Sequence, residues 1–216
     1  MSICSPSLLI VSVLLLDLQL RAQSPSTSGP RLTSVTQSPA DLKLVIDLYR
    51  SLQSDPGKTC LEWLGRGKSI NEYADLKEKD DVEAAKGFID KLLDPRAKLL
   101  AIADIYPVEI AALHGTSALA AQNGIHAAIV FSRIGPFFRT SGFLPFLPSL
   151  AKHLQISPGT PQARRMIAVH ELMHSIQAPE EEAGDYRNPA LSQQNDLLVI
   201  KHCESFVRGP AGAVRR

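Results

Sequence analysis

Apolar residues recur every three or four positions over several stretches of the chain, a spacing that predicts helices because it places those side chains on one helical face. Proline is favoured at the first helical position and supports two of the starts, Pro95 and Pro161. One shorter apolar run, 125–132, lies between Gly124 and Gly135 and predicts a strand. The predicted helices are 40–52, 59–64, 82–93, 95–106, 110–121, 161–178 and 197–207. The pattern therefore predicts a mostly helical domain with a small sheet.

Residues 1–22 depart from this pattern and predict a secretory signal peptide. Residues 8–16 are almost purely apolar, and the small side chain of Ala22 before Gln23 is typical of a cleavage site. The alternative is a retained N-terminal membrane anchor, although the apolar stretch 8–20 is shorter than the roughly 20 residues that span a bilayer. We therefore expect a secreted or extracytoplasmic protein, with membrane contact only through an uncleaved leader.

The remaining chain divides by composition into a linker, one domain and a tail. Residues 23–39 are rich in Ser, Thr, Pro and Gly and lack periodic apolar positions, which predicts a flexible linker. Periodic apolar segments continue over 40–210, which is long enough for one domain with a substantial core, and 211–216 form a C-terminal tail. In the 216 residues, 23 Lys and Arg nearly balance 22 Asp and Glu without a basic stripe, so nucleic acid is not an expected partner.

The predicted helix 161–178 contains the sequence H-E-x-x-H. Successive helical residues differ by about 100°, so His170 and His174 lie about 40° apart and project from one face. Two imidazoles placed in this way can bind one Zn²⁺ ion. Glu171 points away from the pair, where it can take a proton from a zinc-bound water. The rest of the helix is mostly apolar, so these three polar side chains would be costly to bury without a partner.

The segment A-V-H-E-L-M-H, at 168–174, resembles the active-site helix of the zincin metallopeptidases. The resemblance implies a zincin-like α+β fold, mostly helical with a small sheet and with this helix at its centre. It also implies zinc-dependent hydrolysis of a peptide or protein substrate, in which Glu171 activates the zinc-bound water and then protonates the leaving amine. Two alternatives stay open: a catalytically inactive zincin-like zinc-binding or regulatory protein, and a secreted helical adaptor in which the motif is accidental.

A catalytic zinc site typically has three protein ligands, so a third must come from outside the motif. Glu204, on the predicted helix 197–207, resembles the downstream glutamate ligand of the gluzincin branch. In that branch the ligand often opens an E-x-x-x-D pattern whose aspartate supports one of the histidines, but here Arg208 stands at the aspartate position. The support would then have to come from Asp196 or Asp185.

Two other residues compete with Glu204 for the metal. Glu180 falls where the metzincin pattern places its third ligand, but Gln177 replaces the glycine at which that chain turns back. The acidic run 180–182 is also typical of a solvated loop. His202 offers a nitrogen ligand, although on a helix it faces away from Glu204. We therefore expect Glu204 to complete the site.

Two further parts of the catalytic apparatus are less specified by the sequence. The oxyanion that develops during hydrolysis needs a donor besides the metal, for which Tyr186, His202 and Arg208 are candidates. In zincins a strand before the active-site helix lines the cleft and can pair with an extended substrate, a role that 125–132 would fill. Burial of that strand within the sheet is the alternative.

Cys60 and Cys203 are the two cysteines that remain once the leader is removed. An even number of cysteines in a secreted chain fits one disulfide. Two separate buried thiols are the alternative.

Overall fold

The computed structural model describes residues 31–34, 38–73, 75–106, 118–123, 126–140, 152, 154, 156–181 and 188–209. Its helices are α1 (Pro39–Leu52), α2 (Lys58–Leu64), α3 (Lys68–Asn71), α4 (Asp81–Leu93), α5 (Pro161–Ile176) and α6 (Pro189–Arg208). Its strands are β1 (Arg31–Ser34), β2 (Leu100–Tyr106), β3 (Ala118–Asn123) and β4 (His126–Ser132). The chain is therefore α+β, as predicted. The predicted signal peptide and the predicted tail lie outside the described residues.

Four of the helices begin where the sequence supplies a capping side chain. Each cap accepts a hydrogen bond from a backbone N–H of the first turn, which would otherwise have no partner within the helix. The caps are Ser38 for α1, Asp80 for α4, Thr160 for α5 and Asn188 for α6. The predicted start of α5 at Pro161 is confirmed, with Thr160 as its cap.

The four strands form one sheet in the order β1-β2-β4-β3. Strands β2 and β4 are parallel, whereas β1 pairs with β2 and β3 pairs with β4 in antiparallel fashion. The predicted strand 125–132 is confirmed as β4. It has a neighbour on each side, so of the two roles that the sequence leaves open, pairing with a substrate or burial within the sheet, the structure favours burial.

Two predicted helices are wrong because their residues pair in the sheet. The segment predicted as helix 95–106 contains β2, and the segment predicted as helix 110–121 contains the start of β3. Both are rich in Ala and Leu, which favour helices, but strand formation depends on neighbours distant in the sequence more than on local propensity. The same reason applies to β1, which lies within the predicted linker 23–39 and pairs with β2.

Helix α5 lies at the centre of the described structure. It packs against β3 and β4 of the sheet on one side and against α6, α1 and α3 elsewhere. Most of its apolar side chains are buried in the core: Ala163, Met166, Ile167, Ala168, Val169, Leu172, Met173 and Ile176. Contacts on several sides explain why the helix is apolar nearly all round. None of the helices in the described ranges is long and apolar enough to cross a bilayer.

A disulfide between Cys60 and Cys203 joins α2 to α6 across a sequence separation of 143 residues. The structure thus contains the first of the two arrangements that the sequence leaves open for these cysteines. Both residues are buried, and their Cα atoms are 4.5 Å apart. The bond fixes the C-terminal half of α6 to a helix that lies between β1 and β2 in the sequence.

Replacing Cys60 and Cys203 together with alanine is expected to lower the free energy of unfolding by about 2–5 kcal/mol, because the bond restricts the unfolded chain over a long separation. Urea denaturation followed by circular dichroism measures this difference. Wild-type protein refolded under reducing conditions serves as the control and should match the variant. A variant as stable as the oxidised wild type would contradict a stabilising role for the bond.

Candidate zinc centre

Helix α5 brings the imidazoles of His170 and His174 together at one place on its surface. Their Nε2 atoms are 3.2 Å apart, and the ring planes are inclined by 72°. The predicted common face of the two histidines is therefore confirmed. Only about an eighth of each side chain is exposed, 12% for His170 and 13% for His174, so the paired nitrogens lie in a largely desolvated setting.

The Nδ1 atom of His170, which points away from His174, contacts an aspartate from α6. The Asp196 Oδ1 atom lies 2.9 Å from His170 Nδ1, and the Asp196 side chain is only 1% exposed. The sequence names Asp196 as one of two possible supports for a histidine ligand, and the structure places it in that position. The other possibility, Asp185, lies outside the described residues.

The Nδ1 atom of His174 contacts a second carboxylate, from the segment that follows α5. The Glu181 Oε2 atom lies 2.7 Å from His174 Nδ1, and the Glu181 side chain is 9% exposed. The interpretation of 180–182 as a solvated loop is thus wrong for Glu181. Sequence reasoning missed Glu181 because it lies between two other glutamates, and the sequence does not show which of the three carboxylates turns inward.

The chain reaches Glu181 by turning sharply at Gln177, which has a left-handed backbone conformation (φ 53°, ψ 58°). The Gln177 and Ala178 N–H groups donate to the carbonyls of His174 and Met173, a capping arrangement that usually employs glycine. Gln177 thus adopts a left-handed turn at the position where the metzincin pattern has glycine. The two capping hydrogen bonds offset the backbone strain at this position.

The carboxylate partners determine the tautomer of each histidine. An ionised carboxylate only accepts hydrogen bonds, so each Nδ1 carries a hydrogen and donates it. A neutral imidazole has one N–H, and both Nε2 atoms are then left with lone pairs. In that tautomer the two Nε2 lone pairs would face each other at 3.2 Å, and a cation between them would relieve their repulsion.

The spacing of the two nitrogens also fits zinc. Two nitrogen ligands about 2.0–2.1 Å from a tetrahedral Zn²⁺ ion lie about 3.3 Å from each other. The observed Nε2–Nε2 separation of 3.2 Å agrees with that value. Histidine ligands of zinc usually donate their second N–H to a carboxylate or carbonyl, and both histidines do so here. The two histidines therefore fit two of the ligand positions of a zinc ion.

Glu171 is buried beside this pair, with 8% of the residue exposed. The buried phenol of Tyr49, from α1, donates a hydrogen bond to the Ala168 carbonyl at 3.2 Å. Burial raises the pKa of Tyr49 well above its usual value, and the charge of Glu171 raises it further. Tyr49 therefore anchors the turn of α5 that precedes His170 and Glu171. In the sequence it appears only as an apolar-face residue of α1.

The structure does not bring Glu204 to the histidines. Its carboxylate forms an ion pair with Arg208 one turn further along α6, at 2.7 Å, and its side chain is 41% exposed. Glu204 also lies about 12 Å beyond Asp196 along the helix axis, because each residue advances a helix by 1.5 Å. Within the described ranges, no group of three or more His, Cys, Asp and Glu side chains is placed to hold a metal. These contacts give no support to Glu204 as the third ligand, which stays a prediction.

The other predicted site residues are also placed elsewhere or not described. Glu180 pairs with Lys201 at 3.2 Å on the surface. His202 stacks on Trp63 with ring centroids 4.7 Å apart, and its pKa is lowered mainly by burial and further by Lys201. Arg208, paired with Glu204 at the end of α6, lies even further from Asp196 along the helix than Glu204 does. Tyr186 lies outside the described residues.

Comparison of the chain with protein-family models, with curated proteins and with solved structures found no match. The zincin resemblance therefore rests on the sequence of the H-E-x-x-H helix.

Proposed function

We propose that the chain is a zinc-dependent metallopeptidase. The observation that carries the proposal is the convergence of His170 and His174, whose Nε2 atoms face each other at 3.2 Å while a separate buried carboxylate holds each Nδ1. A hydrogen bond between two histidines does not need two supporting carboxylates, whereas two histidine ligands of a metal commonly have them. The neighbouring Glu171 supplies the base that hydrolysis needs.

The chain's own residues would divide the work as follows. His170 and His174 would hold Zn²⁺, which would supply Lewis acidity toward water and the substrate carbonyl. Glu171 would accept the proton of the attacking water and later donate it to the leaving amine. It directly follows a ligand on a helix that is packed on several sides, which restricts the movement of its carboxylate. Asp196 and Glu181 would hold the two rings in the tautomer in which Nε2 can bind the metal.

The sheet beside α5 supports a peptide as the substrate. Strand β3 stands last in the order of the described strands, and α5 packs against it. An extended peptide can add to such an edge through backbone hydrogen bonds, which would carry its bonds along the strand next to the helix. This assigns to β3 a role that the sequence leaves open for 125–132.

The alternative function is a catalytically inactive zinc-binding or regulatory protein. One observation favours it: the described residues offer two ligands around the Nε2 pair and not a third His, Cys, Asp or Glu. The intact Glu171 favours the enzyme, because a protein that only binds zinc has no use for a buried base next to the metal. Both functions are compatible with secretion, which the Cys60–Cys203 disulfide supports because disulfides persist in oxidising compartments.

The proposal is tested by removing and restoring the metal. Elemental mass spectrometry of the purified protein is expected to find one zinc ion per chain. The same protein is expected to cleave members of a broad peptide library. A strong chelator should abolish cleavage, and added Zn²⁺ should restore it, because Glu171 alone does not make water a sufficient nucleophile. Zinc without cleavage would select the inactive alternative, and protein without zinc would overturn both functions.

A further inference from the structure

We propose that Glu181 is a positioning residue that fixes the ring of His174 before the metal arrives and thereby sets the zinc affinity of the site. This inference rests on the proposed function, because it gives a role toward the metal to a residue outside the H-E-x-x-H motif. The single contact that carries it is the 2.7 Å approach of Glu181 Oε2 to His174 Nδ1, in a setting where the carboxylate is only 9% exposed.

The backbone that presents Glu181 is held by two hydrogen bonds from other elements. The N–H of Lys68, at the start of α3, donates to the Gln177 carbonyl at 3.0 Å. The indole N–H of Trp63, on α2, donates to the Pro179 carbonyl at 3.3 Å. Contacts with α2 and α3 thus position the turn that carries the Glu181 carboxylate.

Close packing at Gly67 reinforces this position. A Cβ atom at Gly67 would lie 2.5 Å from the carbonyl oxygen of Ile176, so only glycine lets α3 approach the end of α5 this closely. That approach brings the Lys68 N–H to Gln177. The turn after α5 is therefore fixed at its beginning as well as at Pro179.

The two histidines differ in how their supports are attached. Asp196 belongs to the long helix α6, which holds it by regular backbone hydrogen bonding, whereas Glu181 stands on a non-helical turn. Without Glu181 the His174 ring would lose the acceptor for its Nδ1–H, and the tautomer with hydrogen on Nε2 would become accessible. That tautomer blocks the nitrogen that binds zinc. Loss of such a carboxylate partner typically lowers metal affinity by about 10–100-fold.

The test compares Glu181→Ala and Glu181→Gln with Glu180→Ala as the matched control. The neighbouring Glu180 is exposed and pairs with Lys201, so its removal changes the charge of the turn without touching His174. Competition with a chromophoric chelator measures the zinc dissociation constant. We expect Glu181→Ala to weaken zinc binding by about 10–100-fold, Glu181→Gln to weaken it less because an amide oxygen still accepts a hydrogen bond, and Glu180→Ala to leave it within about twofold.

A second measurement uses the metal-free proteins. Nitrogen-15 NMR of the imidazoles reports which ring nitrogen carries the hydrogen, and His174 of the wild type should be in the Nδ1–H form. Glu181→Ala should convert part of the population to the Nε2–H form, whereas Glu180→Ala should not. If Glu181→Ala fails to fold, Glu181→Gln provides both measurements. Unchanged zinc affinity and an unchanged tautomer in the folded Glu181 variants would overturn the inference.

The two proposals fail in distinguishable ways. Wild-type protein that binds zinc but cleaves nothing would overturn the peptidase function, and the chelator competition would still decide the role of Glu181. Wild-type protein that binds no zinc would overturn the proposed function and, with it, the role of Glu181 toward the metal. The tautomer measurement would in that case show whether Glu181 orients His174 for structural reasons alone.

Discussion

Replacing both His170 and His174 with alanine is expected to abolish tight zinc binding. Their Nε2 atoms are the only histidine nitrogens that the described structure brings together at a zinc-like spacing, and alanine removes both ligands while remaining compatible with a helix. Elemental analysis of the purified variant should therefore find far less than one zinc ion per chain. Each single variant should also bind zinc much more weakly than the wild type, because one histidine cannot hold the ion alone.

The control for this prediction is His202→Ala. This change removes an imidazole that stacks on Trp63 and lies outside the histidine pair, so zinc content should stay at the wild-type level. Circular dichroism on each variant separates loss of a ligand from loss of the fold. A folded double variant that still carries one zinc ion per chain would refute the assignment of the metal site to α5.

Glu171→Gln is expected to reduce peptide hydrolysis by about 10²–10⁴-fold, the range for loss of a general base. Glutamine has nearly the same shape as glutamate, so the packing around this buried side chain should be retained. The amide cannot accept the proton of the attacking water, so the chemical step should slow without loss of the metal. Steady-state hydrolysis of a peptide found in the library digestion measures the rate, and elemental analysis measures zinc.

Glu204→Gln is the matched control, because it makes the same change at a glutamate that pairs with Arg208 instead of facing the histidines. It should leave both zinc content and hydrolysis close to wild type. Hydrolysis by Glu171→Gln at the wild-type rate would show that another group activates water. Loss of zinc in Glu204→Gln would restore Glu204 as a ligand and contradict the geometry described above.

The errors in the sequence-based prediction fall where neighbours distant in the sequence decide the structure. Strand β2 and strand β3 have the Ala- and Leu-rich composition of helices, but both adjoin β4 in the sheet. A parallel pair such as β2 with β4 has no local signal, since the partners are joined by a long connection. Glu204 illustrates the same difficulty for the site. The sequence indicates a glutamate on a helix downstream of the motif, but it does not indicate the direction in which that side chain points.

The sequence by itself determined what depends on local spacing. Helix α5 has a cap, a proline start and apolar positions nearly all round, and a separation of four residues on a helix is enough to place His170 and His174 on one face. Only the tertiary structure decided which groups surround that pair. Asp196 reaches His170 from α6, and Glu181 reaches His174 through a left-handed turn at Gln177. These contacts depend on how α2, α3 and α6 pack around the end of α5, and local sequence patterns do not encode that packing.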